Sequence, residues 1–339
     1  MEKRAVLKNY GLLGAMLAAM LTGGVTGWLW PAAAGTVRPL GQIFINLMFC
    51  VVVPLVFSSI AGAIAGMRSV RRAGRIMGVT VLTFVVTGIL AAVLMFLLMK
   101  AFPPVLTPWQ SLPTEAVGDY AAPDQLLVNF FTAEDFVGLL SRRAMAVYYP
   151  LCFMYLFTVF PLMARLGGGR SGVGIMLRHI ARPALTSLGT CSSVATIPAN
   201  LEAAEDTGIS RDVAEMVIPL GATMHMDGSC FSCVLKIAFV WGVFGQELTW
   251  GKLLPIVAVA VLSSVGMSGV PGGGYIGEYI ICSLFFPRQM EMAFPILVAV
   301  GNLVDPPATM INSSGDYVVS FLVSRFVDGK DWLTRHQKG

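Results

Sequence analysis

The sequence predicts an all-α integral membrane protein with about six transmembrane helices and two re-entrant helical hairpins, arranged as inverted repeats. Three observations carry this reading. Charged residues form only 12% of the 339-residue chain and 56% is hydrophobic, whereas soluble domains carry roughly 25% charge. Apolar runs of span length occupy residues 11–30, 43–66, 76–99 and 144–166, and a bilayer core demands about 20 apolar residues of a helix. Beyond residue 184 the apolar segments continue, but Gly, Pro and ionisable residues break them in an order that repeats.

The first run follows Met1-Glu-Lys-Arg4, which resembles a signal peptide with Ala32-Ala-Ala-Gly35 as its cleavage site. The run is longer than a signal h-region, so it is read as a retained first span. Basic residues in short loops orient the chain. Lys3, Arg4 and Lys8 precede the first span, and Arg68, Arg71, Arg72 and Arg75 separate the second from the third. The loop 102–125 carries Glu115, Asp119 and Asp124 without Lys or Arg, as an outer loop should. Arg165, Arg170, Arg178 and Arg182, then Lys330, Arg335 and Lys338, return to the inside. Both termini are therefore expected in the cytoplasm and the chain in the cell's inner (plasma) membrane. Arg142 and Arg143 fit less well, since they fall at the outer headgroups. The tryptophans and tyrosines mostly read as interface anchors. Cys230-x-x-Cys233 has no second pair at ligand spacing, so the cysteines read as packing residues and no transition-metal site is expected.

Two halves differ in character. Residues 1–166 read as ordinary membrane helices, with Pro54 placed to kink the second span. The glycine-rich stretch 167–172 reads as a flexible, polar junction. Residues 178–326 then form the core, and 327–339 a cytoplasmic tail. Four segments of the core stand out. Thr186 to Pro198 reads as a small-residue tip between two short helices, and 221–229 interrupts the span 213–244. The stretch 263–274 is a second tip, and 305–316 places polar residues inside the last span. Unwound backbone at membrane depth persists only where protein, water, substrate or ions satisfy it. Paired discontinuous helices in corresponding halves therefore point to a transporter with its site at the midplane.

Asp227, Asp305 and Asp316 are carboxylates at membrane depth, where an ionised group is costly and usually marks an ion or substrate path. Each lies beside Gly or Pro and near an oxygen of Ser229, Thr309 or Asn312, and such hard ligands suit sodium. Structural hydrogen bonding to neighbouring hydroxyls is the plainer alternative. Ser192 and Ser193 at the first tip and 269–274 at the second would offer amides and hydroxyls to a carboxylate. His225 reads either as a hydrogen-bonded structural residue or as a proton or charge switch that replaces an ion. Lys236 reads as a snorkelling side chain, with a buried ion pair to Glu278 as the alternative.

These segments resemble the dicarboxylate/amino acid:cation symporter family, the glutamate transporter relatives. The family's Asn-Met-Asp-Gly-Thr corresponds to His225-Met-Asp-Gly-Ser229, and its Asp-x-x-Arg-Thr-x-x-Asn-x-x-Gly-Asp to the stretch from Asp305 to Asp316. The serine-rich tip matches Ser192 and Ser193, the Gly-Val-Pro-Gly tip matches 269–272, and 46–59 is similar to the family's second span. The resemblance implies a glutamate-transporter-like elevator fold and secondary active transport, not an enzyme. It implies that Ser192, Ser193, Gly269 and Val270 hold a substrate carboxylate, Asp305 its amino group, and Thr309 and Asn312 the rest of the pocket. It implies sodium sites at Gly221, Asn312 and Asp316, at Thr223, Met226, Ser264 and Val265, and at Asp227 with Thr87. Sodium, with protons as the alternative, would be the coupling ion, and no other cofactor is expected. The partners are a small-molecule substrate and the lipid bilayer, with no nucleic acid.

Departures from the family shape the expectation. His225 stands for Asn, Ala308 for the Arg of acidic-substrate members, and Phe84 and Gly88 for two sodium ligands. Against the family, the chain is short by two spans between residues 166 and 178, one of them from the scaffold, which weakens the homotrimer that the resemblance implies. Without Arg at 308, a sodium-coupled symporter of small neutral amino acids is expected. The alternatives are a proton-coupled carrier of small carboxylates, a non-transporting remnant and, remotely, an intramembrane aspartyl protease using Asp227 and Asp316.

Overall fold

The computed structural model describes residues 69–105, 136–266 and 274–336, with scattered positions between 18 and 62. The expected first two spans, the loop 102–125 and the second hairpin tip fall largely outside the described residues. Among the described residues every regular element is helical. Helix α1 (Val70–Ala101) corresponds to the third apolar run. Its 32 residues extend about 48 Å at 1.5 Å per residue, more than the roughly 30 Å of hydrocarbon. Leu82, Val86 and Leu90 face outward, as a lipid-facing stripe requires.

Helix α2 (Phe136–His179) leads directly to the first hairpin, α3 (Ala181–Thr190) and α4 (Ser193–Thr207). Helices α5 (Arg211–Met224) and α6 (Asp227–Val243) are the two halves of the expected broken span. A 3-10 turn at Trp250–Lys252 precedes α7 (Leu253–Gly266) and α8 (Gly274–Phe285), the arms of the second hairpin. The chain closes with α9 (Met290–Val327) and the short α10 (Trp332–His336). Among the described residues, four stretches are long and apolar enough to cross a membrane: Val70–Ala101, Met145–His179, Arg211–Val243 and Met290–Val327. In the third of these 94% of the most apolar window is buried, against 33–44% in the others. The broken span is thus the centre of the molecule, and the other three present lipid-facing sides. Helix α9 packs on α2, α6, α3, α5 and α4, and α1 packs on α6 and α7.

The region 167–172 corrects the expectation of a flexible junction. Helix α2 runs through it, with one break at Gly169 (φ 72°, ψ −160°), a backbone state that L side chains rarely adopt. The glycines serve close packing rather than mobility. A Cβ on Gly167 would lie 2.5 Å from the carbonyl carbon of Phe321 in α9. The Gly167 carbonyl also accepts from Trp332 Nε1 at 2.9 Å, which fastens α10 to α2. Polar composition suggested solvent; the missing Cβ atoms instead admit a neighbouring backbone.

At the ends of α1, α5 and α9, Arg72 pairs with Asp212 and with Asp328 (Nη2–Oδ1 2.7 Å). These groups remain partly exposed, as charges near a membrane surface can.

Forcing a methyl against fixed backbone costs about 1–3 kcal/mol. Gly167→Ala is therefore expected to lower the melting temperature of the detergent-purified protein. Gly174→Ala, in the same helix with open space at its Cβ, is expected to leave it unchanged or to raise it slightly. Equal melting of both variants would show that the α2–α9 contact tolerates the extra carbon.

Candidate substrate and cation site

The site is built on the break between α5 and α6. Helix α5 ends at Met224, His225 is extended (φ −93°, ψ 101°), and α6 begins again at Asp227. A helix start leaves unpaired N–H groups, and at the buried start of α6 no solvent can meet them. Asn312 of α9 does so: its Oδ1 accepts from Gly228 N at 2.8 Å and Ser229 N at 3.2 Å. Its Nδ2 donates to Ser229 Oγ at 2.9 Å. Both ends of this carboxamide are thereby engaged. Helix α9 comes this close because Gly228 has no side chain, since a Cβ there would strike the Ala308 carbonyl.

His225 occupies the middle of the break and is fully buried. Its Nδ1 lies 3.0 Å from Asp316 Oδ1, and its Nε2 lies 3.1 Å from Thr87 Oγ1 and 3.3 Å from Asp227 Oδ2. The ring stacks on Phe84 at 4.7 Å between centroids. Two glycines of facing helices make the room. A Cβ on Gly315 would lie 2.6 Å from His225 Cε1, and one on Gly221 would strike the Asp316 carboxylate. A carboxylate accepts and does not donate, so the ring form with two N–H groups is the one that serves both aspartates at once. The second oxygen of each carboxylate, Asp227 Oδ1 and Asp316 Oδ2, is buried without a hydrogen-bond partner.

The structure thus brings Thr87, Gly221, His225, Asp227 and Asp316 together, and places Met226 and Asn312 beside them. In place of an oxygen cage between the two aspartates stands an imidazole. An aspartyl protease pair would face each other directly, and here the ring lies between the two.

Other residues singled out in the sequence lie around this centre. Asp305 accepts from Thr309 Oγ1 at 3.2 Å within α9. At the first tip Cys191 is left-handed (φ 49°), and Ser192 caps α4 by accepting from Ala195 N at 3.1 Å. Ser193 Oγ is buried without a partner. Thr223 and Ser264 donate to the carbonyls of Leu220 (3.0 Å) and Val261 (2.8 Å) in their own helices. Gly269 and Val270 lie outside the described residues, as does the side chain of Val265.

Sequence reasoning missed the tyrosines of α2. Tyr155 Oη donates to Asp227 Oδ2 at 2.9 Å, and Tyr148 Oη to the Gly228 carbonyl at 3.0 Å. Both are buried, which corrects their reading as interface anchors. Their spacing of seven residues, two helical turns, was the available signal. Tyr149 Oη donates to the Leu303 carbonyl at 2.8 Å, the group that Pro307 leaves without its helical donor. Lys236 is a second correction. It does not snorkel: its Nζ lies 2.9 Å from Glu278 Oε1, with the two side chains 2% and 4% exposed.

Two helical hairpins, a broken central span and a polar last helix around buried carboxylates define a membrane protein of the secondary-carrier class. The chain belongs to the sodium:dicarboxylate symporter family, which it matches over residues 12–141 and 126–326. It is similar to proteins named C4-dicarboxylate transport protein. That of Rhizobium etli is 25% identical, the match covering 93% of this chain and 89% of the relative. That of Deinococcus radiodurans is 22% identical, covering 96% and 91%. The first alignment runs over 397 positions, more than the chain's 339 residues, so the relative carries segments that this chain lacks. These names favour the carboxylate reading over the expected neutral amino acid, and they are names of transporters rather than enzymes.

Hydrogen bonds to charged groups contribute about 1.5–3 kcal/mol. Tyr155→Phe is expected to lower thermal stability by that order, and Tyr149→Phe, at an exposed position, by less. A Tyr155→Phe protein melting with the parent would show that Asp227 does not depend on this hydroxyl.

Proposed function

We propose that the chain is a secondary carrier of small dicarboxylate anions, with protons rather than a full set of sodium ions as the coupling charge. The substrate class follows the family and the names of its relatives. Ser192, Ser193 and the second tip with Gly269 and Val270 would receive one carboxylate with Thr309 beside it. Asn312, held at the start of α6, would line the pocket without binding, and Asp305 would meet the anion as the neutral acid, since a second carboxylate would repel it.

The coupling rests on one observation, the place of His225. Sodium is bound by hard oxygen ligands. Between Asp227 and Asp316 the available room is filled by a ring whose N–H groups point at both carboxylates. A doubly protonated ring there would repel a metal ion. Asn312 is committed to the start of α6, and Phe84 and Gly88 supply no oxygen from their side chains. One imidazolium against two carboxylates leaves a single negative charge, which one proton neutralises. The group Thr223, Met226, Ser264 and Val265 is the remaining candidate for a sodium ion.

Uptake of labelled succinate into proteoliposomes tests both parts. An inward proton gradient is expected to drive accumulation, and a sodium gradient at constant pH to add less than twofold. His225→Asn is expected to make uptake respond to sodium, because an amide oxygen replaces the ring. Uptake that needs sodium in the parent would sink the coupling, and absence of succinate uptake under every gradient would sink the substrate.

A further inference from the structure

A dicarboxylate brings a second carboxylate that positive charge would favour, and the polar stretch 305–316 of α9 offers none: Ala308 stands where acidic-substrate members of the family resembled place Arg. The fold supplies a cation from a different helix. Ser229 and Lys236 are seven residues apart on α6 and share a face. Ser229 meets Asn312 of α9, and two turns further along α6 Lys236 meets α9 again at Gly301. The Lys236 ammonium would lie 3.6 Å from a Cβ built on Gly301, and the Glu278 carboxylate would strike that atom. Asp305 lies one helical turn from Gly301 on α9. The ion pair therefore joins α6 to the second hairpin against α9 at Gly301, one helical turn from Asp305.

Its chemistry is incomplete. An ammonium carries three donors, and among the described residues Glu278 Oε1 is its one acceptor. A buried ion pair is weak evidence for stability, since apolar residues of similar size often do as well or better. Intramembrane charge is otherwise found on ion and substrate paths.

We propose that Lys236 receives the second carboxylate of a dicarboxylate substrate, and that Glu278 is the counter-ion it holds when substrate is absent. This rests on the dicarboxylate reading above. Lys236 does from α6 what an arginine at position 308 would do from α9, as a point charge on a flexible stem rather than a bidentate fork. Glu278 keeps the ammonium paired in the interval.

Succinate and succinamate, which differ by one charge at nearly equal shape, separate the roles. Binding of both to the purified chain is measured by calorimetry for the parent, for Glu278→Gln and for the double variant Lys236→Met with Glu278→Met. The double variant removes both charges, so neither is left buried alone. The parent is expected to prefer succinate at least tenfold, Glu278→Gln to widen that preference, and the double variant to bind the two alike. A folded double variant that keeps the parent's preference would overturn the proposal. Should the double variant fail to fold, Glu278→Gln decides alone, and an unchanged preference overturns it. A parent that binds both ligands alike refutes the role of Lys236 only. A parent that binds neither refutes the dicarboxylate reading and this role together.

Discussion

Hydrocarbon offers nothing to a bare backbone N–H or C=O, and this constraint governs the architecture around His225. The chain interrupts its most buried helix at His225 and Met226, and every consequence must then be met from within the protein. Helix α9 answers at the start of α6 with Asn312. The tyrosines of α2 answer at Gly228 and at the carbonyl of Leu303 released by Pro307. Gly221, Gly228 and Gly315 let the partners approach. The substrate-side polarity of the fold is thus inseparable from how the break is kept tolerable.

Charge obeys the same rule at greater expense. Each fully buried ionic group of the core lies beside an opposite one: His225 with Asp227 and Asp316, and Lys236 with Glu278. Arg72, Asp212 and Asp328 sit at the helix ends, where water shares the work. The deep groups differ from the surface triad in one respect that bears on transport. They leave something over, an unpartnered oxygen on each aspartate and spare donors on the ammonium. On the proposed function, those remainders would be where an arriving ion or substrate completes a set that the protein leaves open.

Departures from the family pattern are mutually consistent when the helices are seen together. Where the family pattern has an amide, His225 stands between two carboxylates, and Phe84 supplies the face on which the imidazole stacks. Gly228 lets the α9 backbone press close at Ala308, and Lys236 of α6 brings a cation against α9 at Gly301. The glycine-rich stretch after residue 166 is likewise no loose end, because Gly167 and Trp332 bind it to the last helices.

The sequence by itself determined the membrane class, both hairpins, the broken span and the cluster of aspartates. These are local signals: apolar length, glycine and proline at breaks, and carboxylates where lipid should exclude them. What the tertiary structure decided were relations between helices distant in sequence. Tyr155 reads as one more aromatic of an apolar run until α2 is laid against α6. Lys236 reads as a snorkelling side chain until α8 brings Glu278 to it. His225 reads as a single substitution until α5, α6 and α9 close two carboxylates around its ring. Pairing of charge and hydrogen bond across helices depends on which faces meet, and spacing along one chain does not carry that information.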